Sequence, residues 1–311
     1  MRVTRPRLRI LAMHGVADLD AFDRQLAEIS RWATPVRLPQ VLDWLDGVSP
    51  LPPDAVWLTF DDGERSTVVD AAPVLARHGI GATLFVCPAF VEGLAIPWWE
   101  VVEAAVEAGE PIVVEGRTYR DHRAVTELKR VPDAVRRAVI DQLKVPDHVL
   151  EAPRVTRDDL ERWRELGGDV GSHTWDHPCL DQCDAAEQQR QIDLAGAWLD
   201  EQGLWDRRVF AYPNGDRTPE AERHLRESSY AAVALFDHHL VPREPVPWSL
   251  SRLRLDAGHT PSRTRAVLSG WHSAVFRLRE SARRLAARVT RLRRPAGVGD
   301  SLDGARRRLS H

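Results

Sequence analysis

Thr59-Phe60-Asp61-Asp62-Gly63 places two carboxylates side by side at the end of the apolar run Ala55–Phe60. Adjacent carboxylates repel one another unless a cation or a proton separates their roles. Successive side chains of an extended chain point to opposite sides, so one could ligate a metal while its neighbour faces a substrate. The same residues also suit a plain turn and helix cap. A second group, Gly171-Ser172-His173-Thr174-Trp175-Asp176-His177-Pro178, follows another short strand-like run. Two imidazoles four residues apart are expected on one face of a helical turn, close enough to share one ion. With a carboxylate from elsewhere they make a three-ligand site. Such a site leaves a position open for water and suits catalysis more than structure.

Three weaker signals accompany these. Cys179 and Cys183 lie just beyond His177. Zinc accepts sulfur, so a thiolate ligand is one reading, and a small buried side chain is the commoner one. Tyr212-Pro213-Asn214-Gly215 ends a further strand in a turn that could offer a backbone N–H to an oxyanion. His14 closes the first strand, in Leu11-Ala12-Met13-His14, and is either a surface His or a group on the same rim as Asp61 and His173.

The elements that must position these groups are short apolar runs alternating with helix-length segments. Strands are expected near Leu8–Met13, Ala55–Phe60, Ala82–Val86, Asp169–Ser172, Val209–Tyr212, Tyr230–Leu235 and Leu250–Leu255. Helices fill the gaps, among them Leu19–Trp32, Val68–His78, Trp98–Ala108, Asp133–Leu143, Arg157–Leu166 and Ala185–Glu201. Asp184 and Glu187 have capping-box spacing ahead of the last of these. The alternation predicts an α/β fold with a parallel sheet, a barrel or a doubly wound one. Catalytic groups of α/β barrels gather at the carboxyl ends of the strands, where Asp61 and Asp62, His173 and His177, the Tyr212–Gly215 turn and His14 all fall. No Gly-x-Gly-x-x-Gly or phosphate loop follows a strand, so nucleotide binding has no support. Residues 109–150 break the rhythm with a hairpin, Ile112–Val114 against Arg117–Tyr119, and a charged helical stretch. They read as an insertion. Trp98 and Trp99 beside it could stack on a sugar ring, although such residues more often pack a core.

The 311 residues carry a formal charge of −3, which argues against general nucleic-acid binding. The total conceals a split. Residues 271–311 hold 11 Arg against one Glu and two Asp, a sum of +8, and the first 270 residues sum to −11. Trp271, Val275, Leu278, Ala282, Leu285, Val289 and Leu292 form one apolar seam over 271–293 with seven Arg around it. The chain therefore divides into a body, 1–270, and a basic amphipathic helix with a tail, 271–311. The helix suits docking on the body, self-association or an anionic membrane surface. Three Cys form no disulfide framework, no secretory leader is recognisable, and no apolar run reaches membrane-spanning length. A cytoplasmic location, peripheral to the membrane if the helix binds lipid, is the expectation.

Taken together, the motifs resemble the polysaccharide deacetylase (NodB-homology, carbohydrate esterase) family. Thr59-Phe60-Asp61-Asp62-Gly63 and His173-Thr174-Trp175-Asp176-His177 match its first two motifs. The resemblance implies a distorted (β/α)7 barrel and a divalent metal, zinc above others. It implies Asp61 as general base and Asp62, His173 and His177 as metal ligands. It further implies removal of N-acetyl groups from an amino sugar in a polysaccharide, oligosaccharide or glycan precursor. The chain departs from the common pattern twice. Leu255-Asp-Ala-Gly-His259 has the wrong spacing for the late Leu-x-His motif, so His14 is assigned as the acid, as in the branch whose His lies on the first strand. Ala211 stands where the third motif usually has Arg, and Arg252 is the candidate replacement. Tyr212, Pro213, Asn214 and Gly215 are the expected oxyanion and substrate contacts. A related amidohydrolase acting on a small C–N bond and a catalytically silent sugar-binding protein are the alternatives.

Overall fold

The computed structural model describes residues 8–278. Its strands are β1 (Arg9–Met13), β2 (Thr34–Pro35), β3 (Ala55–Phe60), β4 (Ala82–Val86), β5 (Ile112–Val114), β6 (Arg117–Tyr119), β7 (Asp169–Ser172), β8 (Val209–Ala211), β9 (Ala232–Ala234) and β10 (Leu253–Arg254). Seven of them form one curled parallel sheet in the order β10-β1-β3-β4-β7-β8-β9, with β2 beside the start of β3. The segment leading into β10 closes the curl. Leu250 exchanges backbone hydrogen bonds with Val233 and Leu235 at β9, while Leu253 and Arg254 pair with Leu11 and Ala12 of β1. The architecture is the distorted (β/α)7 barrel.

The strands read as they do because both faces are covered. All six residues of β3, Ala-Val-Trp-Leu-Thr-Phe, are buried. Alternate side chains pack in two directions. Val56, Leu58, Phe60, Leu84, Val86 and Val170 meet the outer helices, with Phe22, Leu26 and Ile29 of the helix Leu19–Trp32 among their partners. Ile10, Trp57, Phe85, Val209 and Ala211 fill the interior. Gly171 is needed at the inner wall, where a Cβ would fall 2.7 Å from the Phe85 ring and 2.8 Å from Val209. The interior turns polar toward the carboxyl ends of the strands. Trp57 donates to Thr83 Oγ1 at 2.9 Å, and Thr59 and Arg252 follow above it, all buried.

The helices differ from expectation in places. The segment expected as one helix over 68–78 begins as a π turn, Ser66–Ala71, and continues as Ala72–Arg77. Asp184 caps the helix Ala185–Glu201 through Glu187 N–H at 2.8 Å, but the Glu187 carboxylate bonds Arg190 instead of closing a capping box. The helix Pro261–Leu268 was not expected, because its apolar positions are few. Its start is marked by Thr260, whose Oγ1 accepts from Arg263 N–H, followed by Pro261. The expected hairpin is β5–β6. With the helices Arg123–Leu128 and Asp133–Ile140 it builds a separate small core against Trp98, Val102 and Ala105. The basic helix expected over 271–293 is described only from Trp271 to Leu278; the rest of it and the tail lie outside the described residues.

Candidate active site

The rim at the carboxyl ends of the strands gathers most of the residues singled out by sequence. β1 delivers His14, β3 delivers Asp61 and Asp62, and β7 delivers His173 and His177. Asp62 leaves β geometry with a φ of 70°, so this turn, and not strand alternation, sends the two carboxylates to different partners. Asp62 Oδ1 lies 3.4 Å from His173 Nε2 and 3.3 Å from His177 Nε2. Its other oxygen lies 3.8 Å from His14 Nε2. Asp62, His173 and His177 are the group among the described residues whose atoms converge closely enough to hold a metal ion.

The two histidines reach this point without a helix. Residues 173–177 form a loop, which corrects the expectation of a helical turn. Thr174 and His177 sit at φ of 71° and 59°. A non-glycine residue held there costs about 1–3 kcal/mol, so the surroundings must dictate the shape. They do so through many bonds. Thr174 Oγ1 accepts from His177 N–H at 3.1 Å. Gln191 Oε1 accepts from the N–H groups of Trp175 and Asp176 at 3.0 and 3.1 Å. The Trp98 indole donates to the His177 carbonyl at 3.2 Å.

The donor set fits a divalent cation. The Ala211 carbonyl lies 2.8 Å from His173 Nδ1, so that nitrogen carries a proton and Nε2 is the atom turned toward Asp62. Asp62 Oδ1 is buried and accepts no hydrogen bond among the described residues. A buried carboxylate oxygen facing two imidazole nitrogens calls for a positive charge between them, and one O with two N suits zinc. Burial pushes the Asp62 carboxyl up, but His177 and His173 outweigh it and hold it well below the usual range. Burial also pushes His177 below its ordinary value, toward the neutral form that ligation needs.

Asp61 has a different partner. Arg252, wholly buried, donates to its two oxygens at 2.6 and 2.8 Å, to Thr59 Oγ1 at 3.1 Å and to the Leu235 carbonyl at 2.7 Å. Burial raises the Asp61 carboxyl, and the Arg252 guanidinium together with His173 more than reverses this, so Asp61 stays ionised. The guanidinium also lies 5.4 Å from the Phe85 ring centre and 5.8 Å from that of Phe236.

The third group divides. The Tyr212 side chain turns away into an outer core with Phe210 and Tyr230, so the expected contact through Tyr212 does not form. Its N–H is bonded to Ala234, that of Gly215 to Tyr212, and Pro213 has none. Asn214, at φ 55°, is the residue of this turn that lines the cleft, and its N–H has no hydrogen-bond partner among the described residues. Gly215 allows Phe236 to approach, since a Cβ would lie 2.6 Å from Phe236 N. Neither Cys joins the ligands. Cys179 Sγ meets Asn214 Nδ2 at 3.5 Å, and burial pushes the thiols of Cys179 and Cys183 up to about 11 and about 12. His259 faces Asp256 at 3.4 Å and does not line the cleft.

The cleft has a volume of about 420 Å³. Of the two tryptophans weighed together, Trp98 is buried and Trp99 lines the cleft, 4.6 Å from His177 between ring centres. Glu64, Glu103, Lys129, Phe236 and Arg254 also line it and had no signal of motif or period.

A sequence model of the polysaccharide deacetylase family matches residues 49–233. The chain belongs to the polysaccharide deacetylase family. The chain is similar in fold to the Streptococcus pyogenes deacetylase PplD in complex with acetate, with TM-score 0.60 and 18% identity over 85% of this chain and 99% of that one. It is also similar to IcaB from Ammonifex degensii, with TM-score 0.58 and 20% identity over 85% and 96%. The BpsB deacetylase domain from Bordetella bronchiseptica gives TM-score 0.55 and 17% identity over 80% and 96%. No curated protein sequence matches the chain. Its family consists of carbohydrate esterases that hydrolyse C–N bonds, which implies de-N-acetylation of sugar polymers.

Proposed function

We propose that this protein hydrolyses the acetamide of an N-acetylated amino sugar in a polysaccharide, oligosaccharide or glycan precursor, and that it does so with a divalent cation. The observation that carries this reading is the convergence of Asp62, His173 and His177 beside an Asp61 carboxylate clamped by Arg252. A cation held by those three residues, zinc by the chemistry of the set, supplies polarisation of the acetamide carbonyl and acidification of water. Asp61 accepts a proton from the attacking water. Arg252 fixes the orientation of that carboxylate and keeps it charged. Water oxygen bonds to the carbonyl carbon, and the unpaired N–H of Asn214 is suited to the developing oxyanion. His14, across the cleft, protonates the departing amine as the C–N bond breaks, leaving acetate and a free amino sugar. Acetate bound in PplD, which shares the fold, is the product expected of the same hydrolysis. A cleft of this size suits sugar units of a chain, and Trp99 offers an aromatic wall.

The test is acetate release from N-acetylglucosamine oligomers, measured with the metal content of the same preparation. Activity is expected to require stoichiometric metal and to fall by about 10²–10⁴ in Asp61→Asn. A metal-free preparation in which Asp61→Asn keeps full activity refutes the reading. Activity confined to small acetamides would leave the mechanism standing and shift the substrate to the related amidohydrolase class.

A further inference from the structure

The insertion is tied to the His173–His177 loop by one residue. Arg137, on the helix Asp133–Ile140, donates through both terminal nitrogens to the two oxygens of Asp176, at 2.9 and 3.0 Å. Its Nε is fixed by Asp133 at 2.7 Å, and Asp133 is held in turn by Arg136. Asp176 lies between the two left-handed residues of the loop, Thr174 and His177. Its carboxylate also accepts from Gln191 Nε2 at 2.7 Å, the same amide whose oxygen receives the Trp175 and Asp176 N–H groups. That bond sets which end of the amide faces the backbone. The Arg137 fork, the Asp176 carboxylate, the Gln191 amide and the loop backbone thus form one connected chain of hydrogen bonds. The chain ends one residue before His177.

We propose that Arg137 is a positioning residue, which locks the loop in the strained shape that brings His173 and His177 to a common point. The proposal rests on the reading that these histidines and Asp62 hold a divalent cation. It gives the insertion a role in the chemistry beyond decorating the barrel. A guanidinium fork matches a carboxylate at two points and fixes its plane; an ammonium does not. Arg137→Lys therefore keeps the charge and loses the register, whereas Arg137→Gln loses both.

The experiment titrates the full-length chain, stripped of metal, with Zn²⁺ against a chelating dye, and with Co²⁺ for its visible spectrum. Arg137→Gln and Asp176→Asn are each expected to weaken Zn²⁺ binding by about tenfold or more. The double variant is expected to be no weaker than the worse single, because the two residues act as a unit. Arg137→Lys falls between wild type and Arg137→Gln, and the Co²⁺ spectrum of each variant shifts. The melting temperature of the metal-free protein separates loop positioning from general unfolding. Arg162→Gln, which removes an exposed partner of Glu165 on another helix, is the control and binds as wild type. Wild-type affinity in Arg137→Gln, or additive losses in the double variant, overturns the proposal. If Arg137→Gln does not fold, Arg137→Lys decides, with unchanged affinity and spectrum overturning it. A wild-type chain that takes up neither Zn²⁺ nor Co²⁺ overturns the metal reading, and the proposal with it; metal binding matched by the variants overturns the proposal alone.

Discussion

Arg252→Met removes the guanidinium while filling much of its space. Arg252 is fully buried and makes four hydrogen bonds, two of them to Asp61. Without it the Asp61 carboxylate keeps its burial and loses its main counter-charge. Breaking a buried pair from one side typically costs about 3–5 kcal/mol. At roughly 2–4 °C per kcal/mol for a domain of this size, the melting temperature should fall by about 6–20 °C. Asp61→Asn with Arg252→Met leaves neither charge and should cost less than the sum of the two single changes. Turnover should fall by about 10²–10⁴, because an unclamped and partly neutralised Asp61 is a poor base. Metal content should not follow, since Arg252 touches none of Asp62, His173 and His177. The assay is acetate release per bound metal, with thermal melts of all four proteins. Wild-type turnover in Arg252→Met, or a loss that tracks metal content one for one, refutes the argument.

Two further outcomes follow from other groups. His14→Gln should lower turnover on an N-acetyl substrate by about 10²–10⁴. An aryl acetate, whose leaving group needs no proton, should lose far less, and an equal loss on both would remove His14 as the acid. Asp216, half-buried beyond the Tyr212–Gly215 turn, has its carboxyl raised by burial from 3.8 to about 6. A raised carboxyl binds more protons folded than unfolded, so its ionised form costs stability above pH 6, and that cost fades as the pH falls toward 4. Asp216→Asn should therefore stabilise the protein at pH 8, by about 1–2 kcal/mol after solvent screening, and hardly at all at pH 4. Thermal melts at the two pH values check this, and an equal gain at both contradicts the assignment.

The barrel was legible because its strands are nearly continuous apolar runs and its helices carry clean amphipathic stripes. Asp61, Asp62, His173 and His177 were legible as well, the first pair at the end of the apolar β3 and the second by its spacing after the short run Asp169–Ser172. What could not be read is the backbone that aims them. Asp62, Thr174, His177 and Asn214 are four of the eight non-glycine residues with positive φ among the described residues, and all four lie in this site. Periodicity assumes regular geometry, so it put the histidines on a helix that does not form. It also gave no reason to separate Tyr212, which turns into the outer core, from Asn214, which faces the cleft. Lys129, Glu103 and Arg254 reach the cleft only because the insertion, the helix Trp98–Glu107 and the closing strand converge there. Convergence of segments far apart in the chain leaves no local pattern.

Arg252 shows how a charge can be supplied from a different strand. In the common form of the third motif the guanidinium would come from the position of Ala211, on β8. Here that residue is small and packs inside the barrel, and its carbonyl faces His173 Nδ1. Arg252 instead precedes β10, the strand that closes the barrel between β9 and β1, and crosses the interior to Asp61. The interior is ready for it. Phe85 and Phe236 flank the guanidinium, Thr59 and the Leu235 carbonyl take its remaining protons, and Asp61 takes the charge. An Arg at the Ala211 position would compete with it for the same carboxylate and crowd His173. Ala211 and Arg252 are therefore one arrangement. Ala211→Arg in the wild-type background should destabilise the protein, whereas Ala211→Arg with Arg252→Met has room for a guanidinium and should recover part of the turnover lost in Arg252→Met alone. Failure of the pair to recover any turnover would mean that the direction of the fork, and not only its charge, is what Asp61 requires.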